Sequence, residues 1–159
     1  MVGLKIGLDI GTGFVTAALE NRGVVLKEPA VLALERESGK PLCAGKKAYD
    51  MTGRCPDAIK LVRPLLSGGI SELKSSEQLL KIFIDEICKN KIFKPTVAAS
   101  MPAGLTNLEK RNILSCILGA GAGRGAARRC DARPADVRAA PVRCPCGAGC
   151  VGSIAGIVP

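Results

Sequence analysis

The stretch LKIGLDIGTGFVTAALE (4–20) decides the fold, because it alternates between apolar and small or polar residues on both sides of a glycine turn. In LKIGLDI (4–10) leucine and isoleucine share one face, as is typical of a half-buried strand. FVTAALE (14–20) alternates in the same way after the turn at 11–13. VVLKEP (24–29) follows a second turn signal, so we predict that the chain opens as an antiparallel meander.

Residues 30–73 read as a small lobe inserted into the main fold. VLALE (31–35) and KPLCAG (40–45) indicate short strands, and a helical stretch follows near 46–52. Prolines and a glycine pair interrupt the remainder, which favours short elements over one long helix.

Beyond the lobe, the pattern predicts two helices with a strand between them. Each helix is preceded by a capping-box pattern: Ser75 with Gln78 before a helix over about 76–89, and Thr106 with Glu109 before one over about 107–118. TVAASM (96–101) is nearly continuous in apolar residues, as in strands buried on both faces. The predicted fold class is therefore α/β, a mixed sheet with flanking helices.

Composition divides the chain at residue 118. Residues 1–118 are varied and carry a net charge of +5, whereas 28 of the 41 residues in 119–159 are Ala, Gly, Arg or Pro. Few large apolar side chains are available there to offset ordering entropy, so we expect a disordered Ala/Gly/Arg/Cys tail. Such a mixture also arises when a GC-rich gene is read out of frame, and we favour a frameshift near 119–125. The chain contains no histidine, which excludes Ser-His-Asp and Cys-His catalysis.

The motif that carries chemistry is DIGTG (9–13). Backbone N–H groups of a glycine-rich turn can approach phosphate oxygens without side-chain obstruction, and Asp9 could hold Mg²⁺ through water. A strand follows the turn, which argues against a Walker loop or a Rossmann turn, because both lead into a helix. Taken alone, the motif is also compatible with an ordinary glycine hairpin.

Three separated blocks resemble the MreB family of bacterial actin-like, rod-shape-determining proteins over residues 4–118. They are IGLDIGTG followed by GVVLKEPAVLAL (23–34), then KKAYDMTGRCPDAIKLVRPLLSGGI (46–70), then MPAGLTNLEKR (101–111). Each block matches, in order, that family's phosphate hairpin with its strand pair, its small lobe and its strand-to-helix junction. The tail over 119–159 shows no such resemblance.

The resemblance implies an actin-like ATPase fold of the ribonuclease H-like type that binds ATP and Mg²⁺. Asp9, Gly11, Thr12, Gly13 and Phe14 fall on the family's first phosphate loop. It also implies self-association into filaments in the cytoplasm, at the inner face of the cytoplasmic membrane, together with cell-wall elongation proteins. Nothing in the chain indicates a specific nucleic-acid partner.

The chain departs from the family at two places. The family usually reads D-L-G-T-A-N-T at its phosphate loop, whereas this chain has Gly13, Phe14 and Val15 in the last three positions. We therefore expect weaker or altered nucleotide binding. The family's catalytic glutamate, in an E-E/Q-P segment, and its second phosphate loop have no counterpart after Leu118. We name no catalytic residue and expect this chain neither to hydrolyse ATP nor to form filaments.

A second candidate site lies between the first main helix and the buried strand. There Ile92 and Phe93 stand among Lys89, Lys91 and Lys94. The family has a hydrophobic membrane-insertion loop at this point, although a helix end packing onto the fold would give the same pattern.

Two other functional classes remain open on sequence alone. One is a sugar- or acetate-kinase-type ATPase of the same superfamily, which shares the phosphate hairpin. The other is a non-enzymatic binding module with a basic tail, whose cysteines Cys144, Cys146 and Cys150 lack the usual zinc-knuckle spacing.

Overall fold

The computed structural model describes residues 4–20, 22–66, 69–89, 94–101 and 104–129 of the 159-residue chain. In chain order the elements are β1 (Lys5–Ile10), β2 (Phe14–Leu19), β3 (Gly23–Pro29), β4 (Leu32–Glu35), β5 (Pro41–Ala44), α1 (Lys46–Tyr49), β6 (Ile59–Val62), β7 (Leu65–Leu66), β8 (Gly69–Ile70), α2 (Leu73–Cys88), β9 (Thr96–Met101), α3 (Asn107–Gly119) and β10 (Arg124–Arg129). Within this part of the chain, no helix is both long enough and apolar enough to cross a membrane.

The main sheet has five strands in the order β10-β9-β1-β2-β3. β1, β2 and β3 pair antiparallel in sequence, which confirms the predicted meander. β9 pairs in parallel with β1 on one side and with β10 on the other. The sheet is therefore mixed, as the sequence predicted.

The core lies where α2 and α3 pack on one face of this sheet. Ile6, Leu8 and Ile10 of β1 are almost fully buried there, together with Phe83 of α2 and Ile113 of α3. The opposite face of β1 carries Lys5, Gly7 and Asp9, so the alternation read from the sequence is the alternation in the structure.

The chain leaves the main sheet after β3 and builds a second sheet of three strands in the order β5-β4-β6. This sheet and α1 lie within the range predicted as an inserted lobe, and they share a small core of Val31, Ala33 and Ala48. Leu32 and Leu34 of β4 belong to the main core instead, so β4 joins the two.

One predicted helix start is wrong. α2 begins at Leu73 rather than 76, and Glu72, at the capping position before it, makes no side-chain capping bond. Ser75 and Ser76 are buried, and the Ser76 hydroxyl donates to the carbonyl oxygen of Pro64 at 3.1 Å. Because tertiary packing occupies this turn, the serines lie inside the helix instead of capping it. By contrast, the predicted capping box of Thr106 and Glu109 is present at α3.

The expectation of disorder after residue 118 is wrong for 119–129. α3 continues to Gly119, a turn follows, and β10 then pairs with β9 over its whole length. Ala120 and Ala122 are buried in the main core, and Gly123 N–H donates to the Pro95 carbonyl at 2.8 Å. Small side chains are sufficient here because pairing in a sheet uses backbone groups. Residues 130–159 lie outside the described part of the chain.

Candidate functional site

The β1–β2 turn is a tight hairpin whose geometry depends on Gly11. Gly11 N–H donates to the Phe14 carbonyl at 3.1 Å, directly after the Ile10–Val15 pair of the ladder. A Cβ added at Gly11 would lie 2.7 Å from that carbonyl oxygen, so any side chain there would force the turn open. At Gly13 a Cβ would meet nothing within 4 Å. Gly11 is required because the Phe14 carbonyl oxygen approaches it closely, whereas the lack of a side chain at Gly13 leaves the tip of the turn exposed.

Asp9 sits one residue before the end of β1, at the same edge of the sheet as the turn. Its Oδ1 accepts a hydrogen bond from the Ser100 hydroxyl of β9 at 2.7 Å. In the ladder Asp9 is opposite Ser100 on one side and Thr16 on the other, and Thr16 is opposite Lys27 of β3. Residues paired in this way share a face of the sheet, so a polar row crosses four strands beside the turn.

A cleft of about 490 Å³ opens beside the hairpin tip, between the main sheet and the second sheet. Thr12, Gly13 and Phe14 form one wall, and three cationic side chains contribute to the others: Lys27, Lys46 and Arg63. The Phe14 ring is 39 % exposed, and the Lys27 ammonium lies 5.9 Å from its centroid. Glu28 and Asp50 also line the cleft, so its charge is mixed, with three cationic and two anionic side chains next to the open turn.

Glu28 connects the two walls of the cleft. Its Oε2 accepts a hydrogen bond from the backbone N–H of Lys46 at 2.6 Å, at the start of α1. Gly45 has φ 69°, and a Cβ there would lie 2.5 Å from the same carboxylate oxygen. The glycine therefore permits both the left-handed backbone and the approach of Glu28.

Sequence reasoning missed Glu28 and Ser100 as members of the site. A signal existed for Ser100, since it is the hydroxyl residue at the end of an otherwise apolar strand. Its partner could not be identified from sequence, because Asp9 lies 91 positions away and only the parallel ladder brings them together. Glu28 lies in the segment 23–34 that resembles the family, but nothing in the local sequence indicates that its side chain reaches α1.

The residues present are compatible with a nucleotide's phosphates and a hydrated cation. Gly11 and Gly13 leave two positions of the turn without side chains, and Asp9 provides a carboxylate at the edge. No group of three or more acidic, cysteine or histidine residues that could cage a metal occurs in the part of the chain that the structure describes. This donor set suits Mg²⁺ held through its waters, since that ion retains much of its hydration shell.

The predicted membrane segment is only partly described. Lys89 and Lys94 are exposed on either side of it, at the end of α2 and just before β9. Lys91, Ile92 and Phe93 lie outside the described residues.

Comparison with known proteins identifies the family. The family model described as MreB/Mbl protein matches residues 3–127. This chain belongs to the MreB/Mbl family. The match runs past the expected boundary at residue 118 and into β10, so the resemblance predicted to end there extends further.

Individual MreB/Mbl relatives agree. The cell shape-determining protein Mbl of Bacillus cereus is 37 % identical over 114 residues, covering 71 % of this chain and 34 % of the relative. MreB of Escherichia coli is 32 % identical over 123 residues, covering 74 % and 35 % respectively. The chain thus spans about a third of the length of these relatives.

Solved structures show the same fold. MreB5 of Spiroplasma citri bound to ADP superposes with a TM-score of 0.71 and 29 % identity, covering 81 % of this chain and 39 % of that one. A MamK double helical filament gives 0.66 at 16 % identity, covering 79 % and 40 %. The actin-like fold class is therefore confirmed, and family membership favours the cell-shape proteins over the kinase alternative. That Asp9, Gly11, Thr12, Gly13 and Phe14 bind nucleotide stays a prediction.

Proposed function

We propose that this chain forms the first phosphate-binding wall of an actin-like adenine nucleotide site in a cell-shape protein. The observation that carries the proposal is the β1–β2 hairpin, in which Gly11 packs against the Phe14 carbonyl and Asp9 stands beside the turn. The superposed MreB5 structures, bound to ADP and to AMPPNP, support it.

In this proposal the chain binds and orients the phosphates. The Gly11 N–H is used within the hairpin, so backbone N–H groups at the tip of the turn would contact the phosphate oxygens. Lys27, Lys46 and Arg63 outnumber the two carboxylates of the cleft and so favour the entry of a polyanion. When bound, Mg²⁺ would supply charge neutralisation at the phosphates, and Asp9 is the residue that would hold the hydrated ion. Phe14 places an aromatic ring where the family has a polar side chain, so contacts there come from the backbone.

A pair of glycine variants tests this site. Gly11→Ala should abolish binding of a fluorescent ATP analogue by the purified chain, because its Cβ would displace the Phe14 carbonyl. Gly13→Ala is the matched control, since the same change meets open space and should alter affinity less than about threefold. Equal nucleotide affinity in the wild type and both variants would show that the hairpin does not form part of the binding site.

We propose binding without turnover for this chain. No Glu or Gln occurs after residue 119, so β10 leads into no E-E/Q-P segment of the kind the family uses for hydrolysis. Phosphate release by the purified chain should equal the buffer background with saturating ATP and Mg²⁺. Release that follows protein concentration and disappears in Gly11→Ala would refute this part.

For the full-length protein of this family, we propose ATP-dependent filaments that lie on the inner face of the cytoplasmic membrane and guide wall elongation. The MamK neighbour, solved as a double helical filament, supports self-association of this fold. Attachment would use Ile92 and Phe93 within the lysine cluster. Burying both side chains would contribute roughly 3–5 kcal/mol, enough for many weak contacts by a filament and too little for stable anchoring of one monomer.

The membrane proposal is tested with vesicles containing anionic lipid. Replacing Ile92 and Phe93 together by serine should abolish co-sedimentation with the vesicles. The control replaces Leu108, which is 68 % exposed on α3, by serine and should leave co-sedimentation unchanged. If the Ile92/Phe93 variant still binds the vesicles, another surface of the protein must attach it to the lipid.

A further inference from the structure

Ser100 is placed where it can fix the direction of the Asp9 carboxylate. The two residues are direct partners in the parallel ladder of β1 and β9, and the Ser100 hydroxyl donates to Asp9 Oδ1 at 2.7 Å. Ser100 is 5 % exposed. A short hydrogen bond between a buried hydroxyl and a carboxylate belongs to the stronger, charge-assisted class.

The geometry constrains the carboxylate more than a surface contact would. An aspartate carboxylate turns readily about its terminal bond, because that torsion has a broad energy profile. Both partners here are held by strands paired through Lys5–Thr96 to Asp9–Ser100, so neither backbone yields easily. A hydrogen bond from a fixed donor therefore selects one orientation before any ligand arrives.

A second serine hydroxyl buried in the described part of the fold donates to a different kind of partner. Ser76 of α2 is 0 % exposed, and its hydroxyl donates to the Pro64 backbone carbonyl at 3.1 Å. That bond joins a helix to a turn and reaches no side chain at the hairpin. Ser76 therefore provides an internal standard for the structural cost of losing a buried serine hydroxyl.

We propose that Ser100 is a positioning residue for Asp9. It holds the carboxylate in the orientation that receives a hydrated divalent cation beside the phosphates of the nucleotide. This inference rests on the proposed nucleotide site. It assigns the cation dependence of binding to a pair of residues on two strands, β1 and β9, rather than to the hairpin alone.

The experiment measures nucleotide affinity of the purified chain as a function of Mg²⁺ concentration. Ser100→Ala should raise the Mg²⁺ concentration needed for half-maximal affinity by about three- to tenfold and leave affinity in excess chelator unchanged. Ser76→Ala should lower thermal stability while shifting neither quantity. Asp9→Asn should remove the Mg²⁺ dependence, and adding Ser100→Ala to it should have no further effect, because the two residues act as one unit.

The outcomes separate two failures. A wild-type chain that binds no nucleotide at any Mg²⁺ concentration overturns the proposed function and this inference with it. A wild type with Mg²⁺-dependent affinity, whose Ser100→Ala variant behaves like Ser76→Ala or adds to Asp9→Asn, overturns the positioning role alone. If Ser100→Ala does not fold, Ser100→Cys replaces it, since a thiol of similar size is a weaker donor and should give a smaller shift in the same direction.

Discussion

β9 has a parallel neighbour on each side, and the two neighbours are built from opposite kinds of sequence. β1 alternates large apolar residues with Asp9, and its Ile6 and Leu8 are fully buried. β10 reads RGAARR, and Arg124 and Ala126, its first described side chains on one face, are exposed. Both strands nevertheless begin opposite the same residue, Thr96.

The comparison shows that a strand can pair in this sheet without supplying side chains to the core or to the candidate site. Backbone donors and acceptors are sufficient to continue the ladder into β10, whereas the core and the carboxylate come from β1. Ala120 and Ala122 fill the core before β10 begins, and the Gly123–Pro95 bond fixes its register. After this second neighbour the chain reads CDARP (130–134), which contains no E-E/Q-P segment.

The largest expected effect is on the β1 side. Leu8→Ala should lower the free energy of unfolding by about 2–5 kcal/mol, because it opens a cavity beneath both helices. Urea denaturation followed by circular dichroism measures this loss. Leu108→Ala, at an exposed helix position, should change stability by less than about 0.5 kcal/mol. Similar losses in both variants would contradict the assignment of the core to the β1 side.

The next largest loss of stability is expected on the β10 side, where a side chain at Gly123 would clash with its neighbours. A Cβ at Gly123 would lie 2.9 Å from Lys94 Cβ and 3.3 Å from its carbonyl oxygen. Gly123→Ala should therefore cost about 1–3 kcal/mol and weaken the turn that sets the register of β10. Hydrogen exchange of the β9 amides should quicken in this variant. Unchanged exchange would mean that the register is fixed elsewhere.

The helix α3, which connects β9 to β10, gives a smaller effect on stability that depends on pH. Thr106→Ala removes the helix cap and should cost about 1 kcal/mol near neutral pH. Hydrogen bonds from the Thr106 side chain and backbone lower the pKa of Glu109. A lowered pKa stabilises the fold above the unfolded-state pKa, and this contribution is lost as the pH falls through the folded value. The difference between wild type and Thr106→Ala should therefore shrink in acid, and a constant difference would contradict the capping box.

The smallest effect has the opposite sign. At Gly125, within β10, a Cβ would make ordinary contacts of 3.5 Å with Ile117 and Leu118. Gly125→Ala should raise stability by about 0.5–1 kcal/mol, because alanine loses less backbone freedom than glycine on entering a strand. Thermal unfolding beside Gly123→Ala measures the contrast. Loss of stability in both variants would show that β10 does not pair as described.

Much of the fold could be predicted because its signals are local. Alternation marked β1 and β2, a continuous apolar run marked β9, and the Thr106–Glu109 pair marked the start of α3. The start of α2 could not be predicted in this way, since the same serine pattern is overridden when Ser76 is buried against Pro64. β10 could not be predicted because its Arg/Gly/Ala composition carries no strand signal. It is a strand because its backbone pairs with β9, and that pairing is visible only in the tertiary structure.

The sequence by itself determined the apolar face of β1, the glycine turn at 11–13, the family and the residue types available to a phosphate. These follow from periodicity, from the absence of a side chain at Gly11 and from motifs read along the chain. Only the tertiary structure decided that Ser100 holds Asp9, that Glu28 reaches α1 and that β10 extends the sheet. Each of these depends on groups far apart in sequence, which the parallel ladder and the packing of two sheets bring within hydrogen-bonding distance.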